Sequence, residues 1–203
     1  MRPHRTSDIR TSGLGGHERP HTFHTLIQER LFERRVVLAQ GVIDDELATR
    51  TAAQLLTLEA LAPEPITLRL ACPAGELGAV LSLADTIHML GVELTAIAVG
   101  EVSGAAIGAL AAAPSRLAYP HARFALIEPK AEPTSGRASD IDTYAKEYLT
   151  RWHQLVELVA DATGRQAEAV ASDFREGRFL TAAEAKGYGL VSGVVSAGSE
   201  TES

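Results

Sequence analysis

Apolar residues gather in four short runs, VVLAQ (36–40), ITLRLAC (66–72), LTAIAVG (94–100) and RFALIEP (123–129). Their length and aliphatic content are those of buried strands. Between them lie stretches with helical spacing at 44–61, 78–90 and 105–112. This alternation predicts a single α/β domain of strand–helix crossovers. No repeat of fixed period interrupts it. The longest predicted helix covers 140–163. Ile141, Tyr144, Tyr148, Trp152, Leu155 and Val159 recur along it at threes and fours and form one apolar stripe. Asp140 charges its first turn and Thr163-Gly164 ends it. The stripe has two readings: a face buried on the domain's own core, or a face packed on another subunit, where Trp and Tyr are enriched.

The stretch AIAVGEVSGAAIGALAAA (96–113) is the most informative. An apolar strand runs through a Gly-bearing turn into a helix of very small residues. Hydrolytic enzymes of the α/β class place a nucleophile at such a junction, because the turn projects one side chain into the open. The helix N-terminus also favours negative charge there. Asp44-Asp45, ahead of another helix, read as N-capping residues rather than an acid–base pair.

Composition narrows the function classes. The chain has 203 residues, 45% of them hydrophobic, a net charge of −7 and one cysteine. That size supports one domain with a sizeable core. A negative balance argues against general nucleic-acid binding. A single cysteine forms no internal disulfide and fits a reducing, cytoplasmic compartment. No run approaches membrane-spanning length. Residues 1–22 read as a flexible leader without an apolar signal core, and 197–203 as a disordered tail. His4, His17, His21 and His24 lack regular ligand spacing, so no metal is expected, and no cofactor motif is present.

Several segments, in order, resemble the Clp protease proteolytic subunit family (ClpP) across roughly 26–195. The residues 26–60 are similar to its opening helix, first strand and following helix. LRLACPAGELGAVLSLADTIHML (68–90) is similar to its L-x-I-N-S-P-G-G strand–turn–helix. SRLAYPHARFALIEP (115–129) resembles R-x-A-L-P-[HN]-[SA]-R-x-x-I-H-Q-P. GRASDIDTYAKEYL (136–149) resembles G-Q-A-T-D-I-x-x-x-A-[RK]-E-x-L, and REGRFLTAAEAKGYGLVSGVV (175–195) resembles the closing R-D-x-[FY]-[ML]-[ST]-A-x-E-A-x-x-Y-G-L motif. The resemblance implies a ClpP/crotonase-type superhelix of ββα units with a protruding handle helix, and makes residues 1–22 a leader or an axial loop.

It also implies where a Ser-His-Asp triad would stand. On the nucleophile pattern G-Q-A-A-S, the serine position is Gly104. The histidine of I-H-Q-P falls on Ile127, and the aspartate of R-D-x-F on Gly177. Gly and Ile can neither attack, take a proton, nor orient an imidazole. The oxyanion donors are backbone N–H groups and would fall on Gly75 and Ala105. Ser103 and Cys72 are fallback nucleophiles, with His121 the nearest motif histidine. Their plainer readings are a turn residue and a buried inert thiol. In 130–138, Pro133 disfavours the strand pairing with substrate that the family uses. Arg175-Glu176-Gly177 alters the family's acid–Arg–Asp order.

The first expectation is therefore a triad-lacking, ClpR-type subunit. It would form homo- or hetero-oligomers with active ClpP subunits in stacked heptameric rings and dock a Clp-type ATPase. The alternatives are an active serine endopeptidase with an unrecognised nucleophile, and a crotonase-type acyl-CoA enzyme, which holds a thioester carbonyl on a similar donor pair.

Overall fold

The computed structural model describes residues 21–130 and 138–196. The readings of residues 1–20, of Pro133 with its neighbours, and of 197–203 concern positions outside the described residues. The chain runs through α1 (His21–Glu33), β1 (Val36–Gln40), α2 (Asp45–Leu61), β2 (Ile66–Cys72), α3 (Leu77–Met89) and β3 (Leu94–Ser103). A 3-10 turn (Gly104–Ala106) leads into α4 (Ile107–Ala111). Then come β4 (Ser115–Ala118), β5 (Arg123–Leu126), α5 (Ala138–Thr163), α6 (Ala167–Glu176), β6 (Arg178–Thr181), α7 (Ala182–Tyr188) and β7 (Gly193–Val194). Helix α1 thus takes in residues 21 and 22, which the sequence assigns to the leader.

The sheet order is β1-β2-β3-β4-β7, all parallel. Strand β3 is longer than its apolar run and serves two neighbours. Thr95–Ala98 pairs with β4, while Glu101–Ser103 pairs in parallel with β5. Strand β5 pairs antiparallel with β6, which carries the sheet beyond the crossover register. This parallel-dominated mixed architecture is the one the sequence predicts.

Burial alternates along β2. Ile66, Leu68, Leu70 and Cys72 point into the core, and Thr67, Arg69 and Ala71 are half-buried on the opposite face. A parallel sheet covered on both faces reads as a continuous apolar run; this one is fully buried on one face only. The buried face carries α3 and α4, with α5 packed behind them. At Gly108 an added Cβ would stand 2.6 Å from Leu155 Cδ1 and 3.0 Å from Val80 Cγ1, so a bare backbone lets α4 lie that close to α3 and α5.

The apolar stripe of α5 divides in two. Trp152, Leu155 and Val159 are buried, and Trp152 meets Phe174 edge-to-face at 5.2 Å. Ile141 and Leu149 stay exposed, and Tyr144 and Tyr148 are half-buried. The helix is therefore rooted in the core at its C-terminal half and projects at its N-terminal half.

Two arginines close helix ends. Arg35 donates to the carbonyls of Leu58, Ala62, Glu64 and Pro65, and Arg116 to those of Ala113, Ala162 and Leu190. They satisfy carbonyls that a helix terminus leaves unpaired. Among the described residues, no helix is long and apolar enough to cross a membrane.

Candidate active-site cleft

The junction after β3 is built by its backbone. Ser103 is still extended (φ −139°, ψ 158°), whereas Gly104 turns into the left-handed region at φ +57°. This is the sharp strand-to-helix turn that projects a side chain, occupied by a residue that has none. Opposite it, Gly75 forms a parallel bridge with Ile43. The bridge uses Ile43 N–H to the Ala74 carbonyl (3.0 Å) and Glu76 N–H to the Ile43 carbonyl (2.8 Å), so the Gly75 N–H takes no part in it. A Cβ at Gly75 would meet Val80 Cγ2 at 2.6 Å and the Ala106 nitrogen at 3.2 Å. Only glycine fits this approach of β2's exit to the 3-10 turn. The N–H groups of Gly104 and Ala105 begin that turn and have no carbonyl a turn behind them.

These elements enclose a cleft of about 560 Å³. Gly75, Ser103, Gly104, Ala105 and Ile127 all line it. Gly177 does not, yet it stands beside the same group. Continuing the β5–β6 register by one step from Leu126↔Arg178 sets Ile127 opposite Gly177. An added Cβ at Gly104 would lie 3.6 Å from the Ile127 carbonyl oxygen. Gly104 thus stands next to Ile127, and Ile127 and Gly177 flank the last β5–β6 pair, although the three come from separate parts of the chain. Gly177 caps α6 in the left-handed region (φ +73°), with nothing within 4 Å of an added Cβ. Ile127 is 42% exposed. None of these side chains can move a proton.

The fallback residues are held otherwise. The Ser103 hydroxyl donates to Glu101 Oε1 at 2.8 Å, and Ser103 is 2% exposed. Glu101 belongs to a second depression, formed with Arg123, Phe179 and Glu184 on the outer face of β3, β5 and β6. His121 is exposed and lies four residues before Ala125, the strand partner of Ser103. It sits in the turn before β5, and among the described residues no hydrogen bond joins it to Ser103, whose hydroxyl is taken by Glu101. Cys72 is fully buried, its thiol donates to the Ala39 carbonyl at 3.3 Å, and burial pushes it up to about 11. A thiol so placed stays protonated at neutral pH and is a poor nucleophile. Among the described residues, no cluster of His, Cys, Asp or Glu could hold a metal ion.

Sequence reasoning missed the cleft's outer wall. It is supplied by Tyr144, Glu147, Tyr148 and Arg151 of α5 and by Glu128 to Lys130 after β5. The spacing of those α5 residues, at threes and fours, was the available signal. The Tyr148 hydroxyl donates to the Pro129 carbonyl, and Glu128 N–H donates to the Phe174 carbonyl at 3.0 Å, so the wall is tied on both sides. Burial raises the Tyr148 phenol above its ordinary range, and the nearby Glu128 charge adds to the shift.

Beneath Gly177, Asp173 accepts from Arg178 (2.8 Å) and from the Tyr188 hydroxyl (2.7 Å), while Arg165 stacks on Tyr188 at 3.9 Å. Burial works to raise the Asp173 carboxyl, but the bonds from Arg178 and Tyr188 outweigh it and leave it below its ordinary range.

A family profile described as Clp protease matches residues 19–198. The chain belongs to the Clp protease family. Its relatives include the ATP-dependent Clp protease proteolytic subunit 1 of Thermobifida fusca, 34% identical over 169 residues, which cover 82% of this chain and 76% of that one. The subunit 1 of Rhodococcus jostii is 34% identical over 170 residues, covering 82% and 77%. The subunit 3 of Rhizobium etli is 35% identical over 170 residues, covering 83% and 87%. Membership of the Clp protease family accounts for the parallel-dominated mixed sheet.

Proposed function

We propose that this chain is a non-catalytic subunit of an ATP-dependent Clp protease complex, with a structural or regulatory role. The reading rests on one observation above all. In an intact backbone frame, Gly104 stands next to Ile127, Ile127 and Gly177 flank the last β5–β6 pair, and none of the three carries a group that nucleophilic catalysis needs. The cleft keeps N–H donors at Gly75 and Ala105, so it is a receptor for a peptide carbonyl without a nucleophile to attack it. Its partners are active Clp proteolytic subunits in stacked heptameric rings and a Clp-type ATPase, in the cytoplasm. Heterologous ring closure lets one such subunit replace an active one and lower the number of working sites.

The test is native mass spectrometry of this protein alone and mixed with an active Clp proteolytic subunit of the same cell, with peptidase activity and fluorophosphonate labelling followed in parallel. Mixed rings, with neither activity nor labelling from this chain alone, are the expected result. A separate species that cleaves peptide and is labelled at Ser103 overturns the reading.

A further inference from the structure

The cleft is charged, and unevenly so. Asp45, Glu76, Glu128 and Glu147 line it against Lys130 and Arg151. Among the described residues, none of these six side chains makes an ion pair or a side-chain hydrogen bond. Glu76 sits at the N-cap of α3 without capping it, so its carboxylate is not engaged by the helix. The Arg151 guanidinium lies over the bare backbone of Gly78, 3.3 Å from where a Cβ would stand, and among the described residues it forms no ion pair with the carboxylates. Four carboxylates against two cations leave the cleft lining with an excess of negative charge. The charge of Glu128 is felt at the Tyr148 ring, which stands beside it in the same wall. The chain as a whole carries −7, so its wider field has the same sign.

We infer that the cleft selects peptides bearing a basic side chain, with a backbone carbonyl toward Gly75 and Ala105 and a Lys or Arg toward the Glu128, Glu147 and Tyr148 wall. The inference rests on the reading of the cleft as a peptide receptor and adds the class of peptide. Glu128 and Glu147 share that wall with Lys130 and Arg151, so the attraction comes from the four carboxylates of the lining taken together, and a tyrosine face adds a cation–π contact. No strand pairing with residues 131–137 is required. Exposed ion pairs are individually weak and screened by salt. Selectivity is therefore modest and depends on ionic strength.

The experiment is calorimetric titration of the full chain with three blocked pentapeptides, acetyl-Leu-Leu-Xaa-Leu-Leu-amide, with Arg, Gln or Glu at the centre. The Arg peptide is expected to bind about fivefold tighter than the Gln peptide, and the Glu peptide more weakly than either. Added salt should shrink the differences. The double variant Glu128→Gln with Glu147→Gln should bring Arg and Gln to near equality by weakening the Arg peptide. Both positions are exposed or half-buried, so the variant is expected to fold. Equal binding of all three peptides, or a preference untouched by the double variant, overturns the inference and leaves the receptor reading standing. Binding of none overturns both.

Discussion

Single residues carry sharply different constraints around the cleft. Gly75 has no room for a methyl group, so Gly75→Ala should push Val80 and the 3-10 turn apart and destabilise the fold by about 1–3 kcal/mol, read by urea denaturation. Gly104 and Gly177 are open instead, and their cost is conformational. Placing an L-residue at φ +57° costs about 1–2 kcal/mol. The combined variant Gly104→Ser, Ile127→His and Gly177→Asp should still fold and should gain fluorophosphonate labelling that each single variant lacks. Absence of labelling in a folded triple variant would show that the frame has drifted from catalytic geometry. Thr51 is fully buried with its hydroxyl unpartnered among the described residues. Thr51→Val should therefore raise stability by about 1 kcal/mol, because an apolar group of the same shape has nothing to desolvate.

Elements show where local pattern was enough and where it was not. Strands β1 and β2 were legible to the residue, since an aliphatic run bounded by turn residues has few other solutions. The extension of β3 through Glu101 to Ser103 was not, because it depends on pairing with β5, which lies twenty-odd residues downstream. The stripe of α5 was legible as a stripe but not as two halves. Periodicity reports which side is apolar and is silent on where the supporting core ends. Trp152→Ala should cost about 3–5 kcal/mol, whereas Leu149→Ala should stay within about 0.5 kcal/mol for the isolated chain. The positions of Gly104, Ile127 and Gly177 were read from motif. Their adjacency rests on the β5–β6 register, which sequence alone does not fix. The charged wall of the cleft went unread because Glu128, Glu147 and Arg151 look like ordinary surface residues until α5 is tied through Tyr148 to Pro129 after β5.

At the scale of the whole molecule, the acid-side stability should trace to the Asp173 cluster that joins α6, β6 and α7. Its carboxyl is lowered in the folded state, so the stabilisation is complete above the unfolded value of about 3.9 and is lost as pH falls through the lower folded value. Asp173→Asn should cost about 1–3 kcal/mol at neutral pH. It should also flatten the loss of stability below about pH 4, measured by chemical denaturation across pH. The half-covered face of the sheet, with Thr67 and Arg69 on it, leaves a parallel sheet short of its second layer.

Helix α5 is also a lever. Its fulcrum is Trp152, wedged against Phe174, and its projecting arm extends to Ile141, about 16 Å away at the rise of an α-helix. Tyr148, which grips Pro129 in the cleft wall, lies only about 6 Å from the fulcrum. A sideways push on the tip therefore reaches the wall reduced to roughly a third but in the same direction. A load on the projecting end of this helix is therefore expected to change the width of the cleft.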